Sequence, residues 1–144
     1  MYHASPVQIK QVTNDGRFGT GLFFGSSSNC GHGSFVYEIE NSEDIKICTA
    51  THLRYEFCDS EPEVVAFAKK WEEIDIETAF DIITGKESAH NYIGVCGAWE
   101  AGWEAQKIAL ILAMRAGYEG VQLFDNGTVW LVDGHVAIKK WREI

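Results

Sequence analysis

The sequence feature that most constrains the fold is Asn126-Gly127, which lies between two short apolar segments. Asn-Gly is the strongest short-range signal for a tight β-hairpin, because both central residues of such a turn adopt positive φ angles. The flanking segments, residues 120–125 and 129–133, are therefore expected to pair as antiparallel strands.

A long helix is expected directly before this hairpin. Its apolar pattern begins near Gly97 or Ala98 and runs to Ala116. Trp99 and Trp103 are four residues apart, so both lie on one side of the helix. We expect both tryptophans in the core, and we expect the helix to pack its broad apolar face on the sheet.

The remaining patterns place strands towards both ends of the chain and helices between them. Further strands or extended segments are expected at residues 7–12, 22–24, 34–40 and 45–51. Two more helices are expected, one from a capping Ser60 to about Glu72 and one from Asp75 to Ile83. No repeat, linker or second domain is visible, so we predict a single α+β domain over residues 1–144.

Composition excludes several classes of protein. Apolar residues make up 46% of the chain and charged residues 23%, which is typical of a packed globular domain and not of a disordered one. Residues 108–114 form an apolar run that is too short to cross a bilayer, and the N-terminus lacks a signal-peptide pattern. We therefore expect a cytoplasmic protein without membrane association.

The four cysteines, at positions 30, 48, 58 and 96, give no sign of a metal site. They form no Cys-x-x-Cys pair, and their spacing matches no zinc framework. Reduced and mostly packed thiols are the expected state, as in a reducing compartment.

Negative charge is concentrated in one part of the chain. The formal net charge is −9, and residues 38–81 alone hold 13 acidic and four basic side chains. Direct nucleic-acid binding is disfavoured, because phosphate contacts need clustered Lys and Arg. The span is expected to dock on a basic protein surface, although a solvated acidic face that keeps the protein soluble is the commoner explanation of such a pattern.

Few residues have the arrangement that chemistry requires. The chain has no P-loop motif, and residues 16–21 do not fit the dinucleotide fingerprint of a Rossmann fold. The remaining candidates are His3, the pair Phe23-Phe24 among glycines and serines, and Asp125 at a strand end.

Three segments in this order resemble the diphtheria-toxin-like branch of the ADP-ribosyltransferases, which carries His, then Tyr, then Glu on three strands. The segments are Tyr2-His3-Ala4-Ser5, Gly21-Leu22-Phe23-Phe24-Gly25-Ser26, and residues 117–133. With Gly16-Arg17-Phe18-Gly19, they are most similar to anti-CRISPR ADP-ribosyltransferases of phages. The resemblance covers the first forty residues and residues 116–134, and it is weak in the acidic middle.

The resemblance implies a fold and a reaction. The implied fold has two small antiparallel sheets around an NAD cleft, with helices from the middle of the chain. The implied reaction uses NAD to ADP-ribosylate an asparagine in the large subunit of the type I-F CRISPR surveillance complex, where the complex recognises target DNA. Residues 38–81 would then dock on that basic surface.

The resemblance also assigns roles to individual residues. Asp125 would stabilise the cationic ribose and bind its 2′-hydroxyl, as carboxylates do in glycosidases. His3 would hydrogen-bond a ribose hydroxyl, and Phe23 or Phe24 would stack on the nicotinamide ring. The backbone of Ala4 would hold the carboxamide. Of the other motif residues, Ser5 belongs to the first motif and Ser26 would bind near the ring.

Two departures from the family pattern leave alternatives open. Asp125 is one methylene shorter than the family's Glu, and Phe replaces Tyr in the aromatic motif. Because of the first departure, Glu119 is an alternative catalytic acid. The chain is thus a candidate enzyme, with two alternatives. One is a catalytically inactive protein of the same fold that blocks the complex through its acidic span, as a DNA mimic. The other is a transferase toxin with a different host target.

Overall fold

The computed structural model describes residues 1–14, 16–28, 33–58, 60–71, 74–125 and 127–144. The side chains of Ser42, Val95, Phe124, Asp125, Gly127 and Thr128 also lie outside the described part. The described residues form one mixed seven-stranded sheet with helices packed against it, as expected for a single α+β domain.

Seven strands make up the sheet. They are β1 (Tyr2–Ser5), β2 (Gly21–Gly25), β3 (Phe35–Glu38), β4 (Ile47–Thr49), β5 (Gly120–Asp125), β6 (Gly127–Asp133) and β7 (Arg142–Glu143). Their order across the sheet is β4-β5-β6-β2-β1-β3-β7, and every neighbouring pair is antiparallel except β4 and β5.

Five α-helices are described. They are α1 (Ala50–Glu56), α2 (Pro62–Lys70), α3 (Ile76–Thr84), α4 (Val95–Arg115) and α5 (Gly134–Lys140). Short 3-10 helices cover Ser42–Asp44 and Ala89–Asn91. No described helix is both long enough and apolar enough to cross a membrane.

The strongest local signals are confirmed. The Asp75 carboxylate caps α3 by accepting a hydrogen bond from the Thr78 N–H at 2.7 Å, and Gly85 ends the helix with a φ of 83°. Strands β5 and β6 pair antiparallel, as the hairpin signal predicts, while Asn126 itself lies outside the described residues.

Three expected elements differ from the structure in extent or in detail. Residues 7–12 form no strand, and the Ile9 N–H donates instead to the Tyr37 hydroxyl at 2.8 Å. The strand expected at residues 45–51 is present as the shorter β4 (Ile47–Thr49), because the Thr49 hydroxyl accepts a hydrogen bond from the His52 N–H at 3.2 Å and α1 begins at Ala50. The helix expected from Ser60 to about Glu72 is present as α2, with Glu61 and not Ser60 at the N-cap position.

The expectation of two small sheets is corrected to one sheet with a narrow junction. Strand β2 joins both halves, because it pairs with β6 over five register pairs and with β1 through Tyr2↔Gly25 alone. All four residues of β1 pair with β3, whereas from His3 onwards β1 no longer pairs with β2. The sheet therefore splays open between β1 and β2.

Side-chain alternation along the strands produces two cores. Phe23, Leu131 and Val121 contact the larger core, which α1 to α4 cover. Phe24 and Val132 point to the other face, where α5 and Ile39 complete a smaller core. Because β2 contributes to both, it is the element on which the two halves of the molecule depend.

Candidate ligand cavity and the His3 cluster

Strand β2 settles which aromatic of the Phe23-Phe24 pair is available to a ligand. Phe24 is only 1% exposed and packs in the smaller core. Phe23 is half-buried and lines a cavity of about 650 Å³ on the other face. This volume lies within the roughly 300–1,000 Å³ of small-molecule sites. Phe23 is therefore the ring that could contact a bound molecule.

The cavity lies between the strands and the N-terminal half of α4. Its strand side is formed by Phe23, Leu123 and Val129. Its helix side is formed by residues of α3, the 3-10 helix Ala89–Asn91 and α4. These residues include His90, Trp99, Trp103 and Gln106. A wall that combines aromatic rings, aliphatic side chains and a few polar groups suits a flat, partly polar ligand.

A glycine-rich loop supplies the third side of the cavity. The Gly19 N–H donates to the Gly16 carbonyl at 3.0 Å, and Gly19 has a φ of 62°, which glycine adopts without strain. This turn places Phe18 edge-on against Phe23, with ring centroids 4.4 Å apart. It also lays the Arg17 guanidinium over the Trp103 ring at 3.9 Å. The loop therefore brings the Phe18 ring to the cavity and a cation to Trp103, which is part of the cavity wall.

His3 is fixed next to Phe23 from the opposite side. Its Nδ1–H donates to the Phe23 carbonyl at 2.6 Å. The ring lies among Phe24, Tyr37 and Trp141, with the Trp141 ring stacked at 6.2 Å. Burial lowers the pKa of His3, and the hydrogen bond to Phe23 opposes that shift only in part. The imidazole is thus neutral at pH 7, with Nε2 as an acceptor.

The other residues of the first two motifs have different surroundings. Ala4 lies in β1 where that strand has diverged from β2. The Ser5 hydroxyl is buried and accepts a hydrogen bond from the Val7 N–H at 3.2 Å. Ser26 is exposed just beyond β2. The structure therefore engages Ser5 in a local turn and leaves Ser26 at the surface.

The side chain of Asp125, the expected catalytic carboxylate, lies outside the described part of the structure. Its backbone ends β5 and pairs with Gly127, two residues beyond Leu123 in the cavity wall. The alternative acid, Glu119, has a structural role, because its carboxylate accepts a hydrogen bond from the Lys46 N–H at 2.9 Å. Its backbone N–H also donates to the Lys46 carbonyl.

The structure joins some of the expected site residues and separates others. Phe23 lines the cavity, and the His3 ring hydrogen-bonds the Phe23 carbonyl. Asp125 ends β5 two residues after Leu123, which is part of the cavity wall. The His3 ring itself is not part of the described cavity wall. Phe24 and Ser5 are buried away from the cavity.

Sequence reasoning missed the helix side of the cavity. It placed Trp99 in the core, whereas the structure leaves Trp99 61% exposed at the cavity. A usable signal was present, because Trp99 is flanked by Glu100 and Trp103 by Glu104 in a helix whose buried positions are mostly Ala, Ile and Leu. Polar neighbours of this kind indicate a helix face near solvent.

The acidic span of residues 38–81 does not form one continuous face. Strands β3 and β4 are five positions apart in the sheet, which corresponds to about 24 Å. Arg142 pairs with Glu38 at 3.0 Å and with Glu40 at 3.1 Å. In the helical layer, Arg115 pairs with Glu61 and Glu63. Asp59, Glu72 and Glu73 lie outside the described residues.

Metal chemistry gains no support from the described side chains. No group of three or more His, Cys, Asp or Glu residues in the described ranges could hold a metal ion. Cys48, Cys58 and Cys96 are free thiols, and Cys30 lies outside the described ranges.

Comparison with known proteins gives an informative structural likeness. No protein-family model matches the chain, and no curated protein matches it. A solved structure described as the crystal structure of an anti-CRISPR protein superimposes with a TM-score of 0.61. The alignment covers 99% of this chain and 93% of that chain, at 24% sequence identity. The two chains therefore share a fold over almost their whole length.

Proposed function

We propose that the protein is an anti-CRISPR enzyme that uses NAD to ADP-ribosylate a protein subunit of a type I-F CRISPR surveillance complex. The acceptor is proposed to be an asparagine in the DNA-recognising region of the large subunit. Two independent observations support this. One is the motif resemblance at His3, Phe23 and Asp125. The other is the fold shared with a protein described as an anti-CRISPR.

The observation that carries the proposal is that Phe23 contacts both the cavity, through its ring, and His3, through its carbonyl. Its ring faces a cavity of suitable size, while its carbonyl accepts the His3 hydrogen bond at 2.6 Å. Motif residues that are twenty positions apart in the chain thus meet at one point. A phenyl ring at that point can stack on nicotinamide through its face.

The proposed reaction exchanges one bond at the ribose. The bond between ribose C1′ and the nicotinamide nitrogen breaks, and its electron pair leaves with neutral nicotinamide. The acceptor nitrogen forms a bond to C1′ and releases one proton. Positive charge builds up on the ribose during this exchange, and the Asp125 carboxylate would stabilise it and bind the 2′-hydroxyl.

The first motif would hold the reactive end of NAD at the opening between β1 and β2. Neutral His3 offers Nε2 to a ribose hydroxyl, because its Nδ1–H is already donated to Phe23. Ala4 lies on the diverging part of β1, where a carboxamide could hydrogen-bond its backbone. Ser26, exposed just beyond β2, would bind near the nicotinamide ring.

A DNA mimic that works without catalysis is less well supported. Mimicry needs a continuous row of negative charge, whereas the described acids lie on separate parts of the sheet and helical layer. Arg142 and Arg115 also offset several of them. We therefore propose that the acidic span contributes at most long-range attraction to a basic partner.

The proposal is tested by incubating the protein, NAD and a type I-F surveillance complex, followed by intact-mass analysis of every subunit. The expected result is a mass increase of one ADP-ribose on the large subunit, with loss of target-DNA binding. Unchanged subunit masses together with inhibition that needs no NAD would favour the mimic. Unchanged masses without inhibition would reject this partner.

A further inference from the structure

Trp99 is an unusual residue for the cavity wall because it is large, apolar and 61% exposed. It lies on α4, whose opposite side is buried in the larger core through Ala101, Ile108 and Leu112. Its ring is supported edge-on by His90, with centroids 4.9 Å apart and planes at 87°. The face of a supported ring at a cavity mouth is available for stacking.

A cation lies one helical turn from this ring. Trp103 follows Trp99 by four residues, which corresponds to about 6 Å along the helix axis. The Arg17 guanidinium lies over Trp103 at 3.9 Å. A chain with a net charge of −9 repels anions on average, so a local cation is needed where an anionic group binds.

A second pair of aromatic side chains, Phe18 and Phe23, lies across the cavity from α4. Phe18 and Phe23 meet there edge to face, at 4.4 Å between centroids. The cavity therefore offers two separate aromatic surfaces, with Arg17 beside one of them. A dinucleotide has the matching composition, because it carries two flat rings joined by a diphosphate.

We infer that Trp99 stacks on the adenine ring of NAD at the cavity mouth, with the diphosphate near Arg17 and the nicotinamide directed towards Phe23. This inference rests on the proposed function and adds the orientation of the substrate. It makes Trp99 a residue for affinity and for the choice of dinucleotide over mononucleotide.

The test compares two ligands on Trp99→Ala. Stacking of a base on an aromatic side chain is worth about 1–3 kcal/mol, so NAD affinity should fall by about 5- to 150-fold. Nicotinamide mononucleotide lacks adenine, so its affinity should not change. Binding is measured by calorimetry with each ligand on the wild-type protein and on the variant.

Two control variants sharpen the comparison. Trp99→Phe keeps an aromatic face and should recover most of the NAD affinity. Tyr55→Ala removes another exposed aromatic, 84% exposed on α1 and outside the cavity wall, and should change neither affinity. Circular dichroism and thermal melting establish that the variants fold.

The outcomes separate this inference from the proposed function. If the wild-type protein binds NAD and Trp99→Ala binds it equally well, the adenine site is wrong and the transferase proposal stands. If Trp99→Ala weakens both ligands equally, Trp99 is not an adenine site. If Trp99→Ala retains NAD binding but no longer modifies the protein target, Trp99 belongs to the partner surface. Absence of NAD binding to the wild-type protein overturns both proposals.

Discussion

Phe23 shows how one residue can connect a binding site to the backbone that holds it. Its ring belongs to the cavity, and its carbonyl accepts the hydrogen bond from His3. A substitution at His3 therefore removes a contact to the Phe23 backbone, whereas a substitution of the Phe23 ring leaves that carbonyl in place. For this reason the most informative tests at the residue scale change charges and donors, and leave the size of the aromatic core unchanged.

Asp125→Ala is the first test at this scale. Loss of a carboxylate that stabilises charge in the transition state should lower the rate of nicotinamide release by about 10²–10³-fold. The rate is measured with NAD and the target complex by chromatography of nicotinamide.

Glu119→Gln is the matched control for Asp125→Ala. The amide oxygen of Gln can still accept the Lys46 N–H, so folding and rate should stay close to wild type. A large loss of rate in Glu119→Gln with little loss in Asp125→Ala would instead make Glu119 the catalytic acid.

His3 gives a prediction on pH dependence. Its pKa in the folded protein is below 6.5, so the unfolded chain takes up the proton first. The stability contributed by neutral His3 is complete above about pH 6.5 and is lost as the pH falls towards the folded pKa.

Thermal melting between pH 5 and 8 should show this loss in the wild-type protein, and His3→Gln should show a smaller one. Gln is uncharged throughout this range, and its amide can still donate to the Phe23 carbonyl. Equal pH dependence in the two proteins would contradict a neutral, buried His3.

At the scale of elements, sequence signals worked where they were local. Asp75 and Gly85 fix both ends of α3 through their own backbone contacts, so their types alone predicted the helix. Helix α1 was missed because Thr49 serves both as the last residue of β4 and as the helix cap. Residues 7–12 alternate like a strand, but a strand also needs a partner, and sequence does not supply one.

Replacing two glycines in and after α4 by Ala should change the free energy of unfolding in opposite directions. Gly117 has a φ of 91°, so Gly117→Ala should destabilise the fold by about 1 kcal/mol or more. A Cβ at Gly102 meets no described atom within 4 Å, and Ala is the better helix former by about 1 kcal/mol. Gly102→Ala should therefore stabilise the fold.

Denaturant unfolding measures both changes from the shift in midpoint at constant slope. Destabilisation by Gly102→Ala would mean that residue 102 needs backbone freedom or space that a regular helix does not require.

For the whole molecule, the sheet order was beyond what the sequence could predict. The order β4-β5-β6-β2-β1-β3-β7 depends on contacts between distant segments, such as Phe23 with Leu131. Local patterns identified β2, β5 and β6, but not that one sheet joins them to β1. The candidate site was only partly predicted for the same reason: the motifs gave Phe23, and tertiary packing added Trp99 and Arg17.

The narrow β1–β2 junction predicts unequal stability across the sheet. Strands β2, β5 and β6 share long registers beside the larger core. Strands β1 and β3 contact the smaller core only through His3 and Tyr37, β7 is exposed, and β1 joins β2 at one register pair. Native-state hydrogen exchange should therefore be faster in β1 and β3 than in β5 and β6. Equal protection would show that the sheet opens as one unit.

The measurement that tests the central claim most directly is a crystal structure with a non-hydrolysable NAD analogue. The account predicts the nicotinamide ring against the face of Phe23, with the Asp125 carboxylate at the attached ribose and His3 within hydrogen-bond reach of a hydroxyl. An analogue bound elsewhere, or an empty cavity at a saturating concentration, would contradict it.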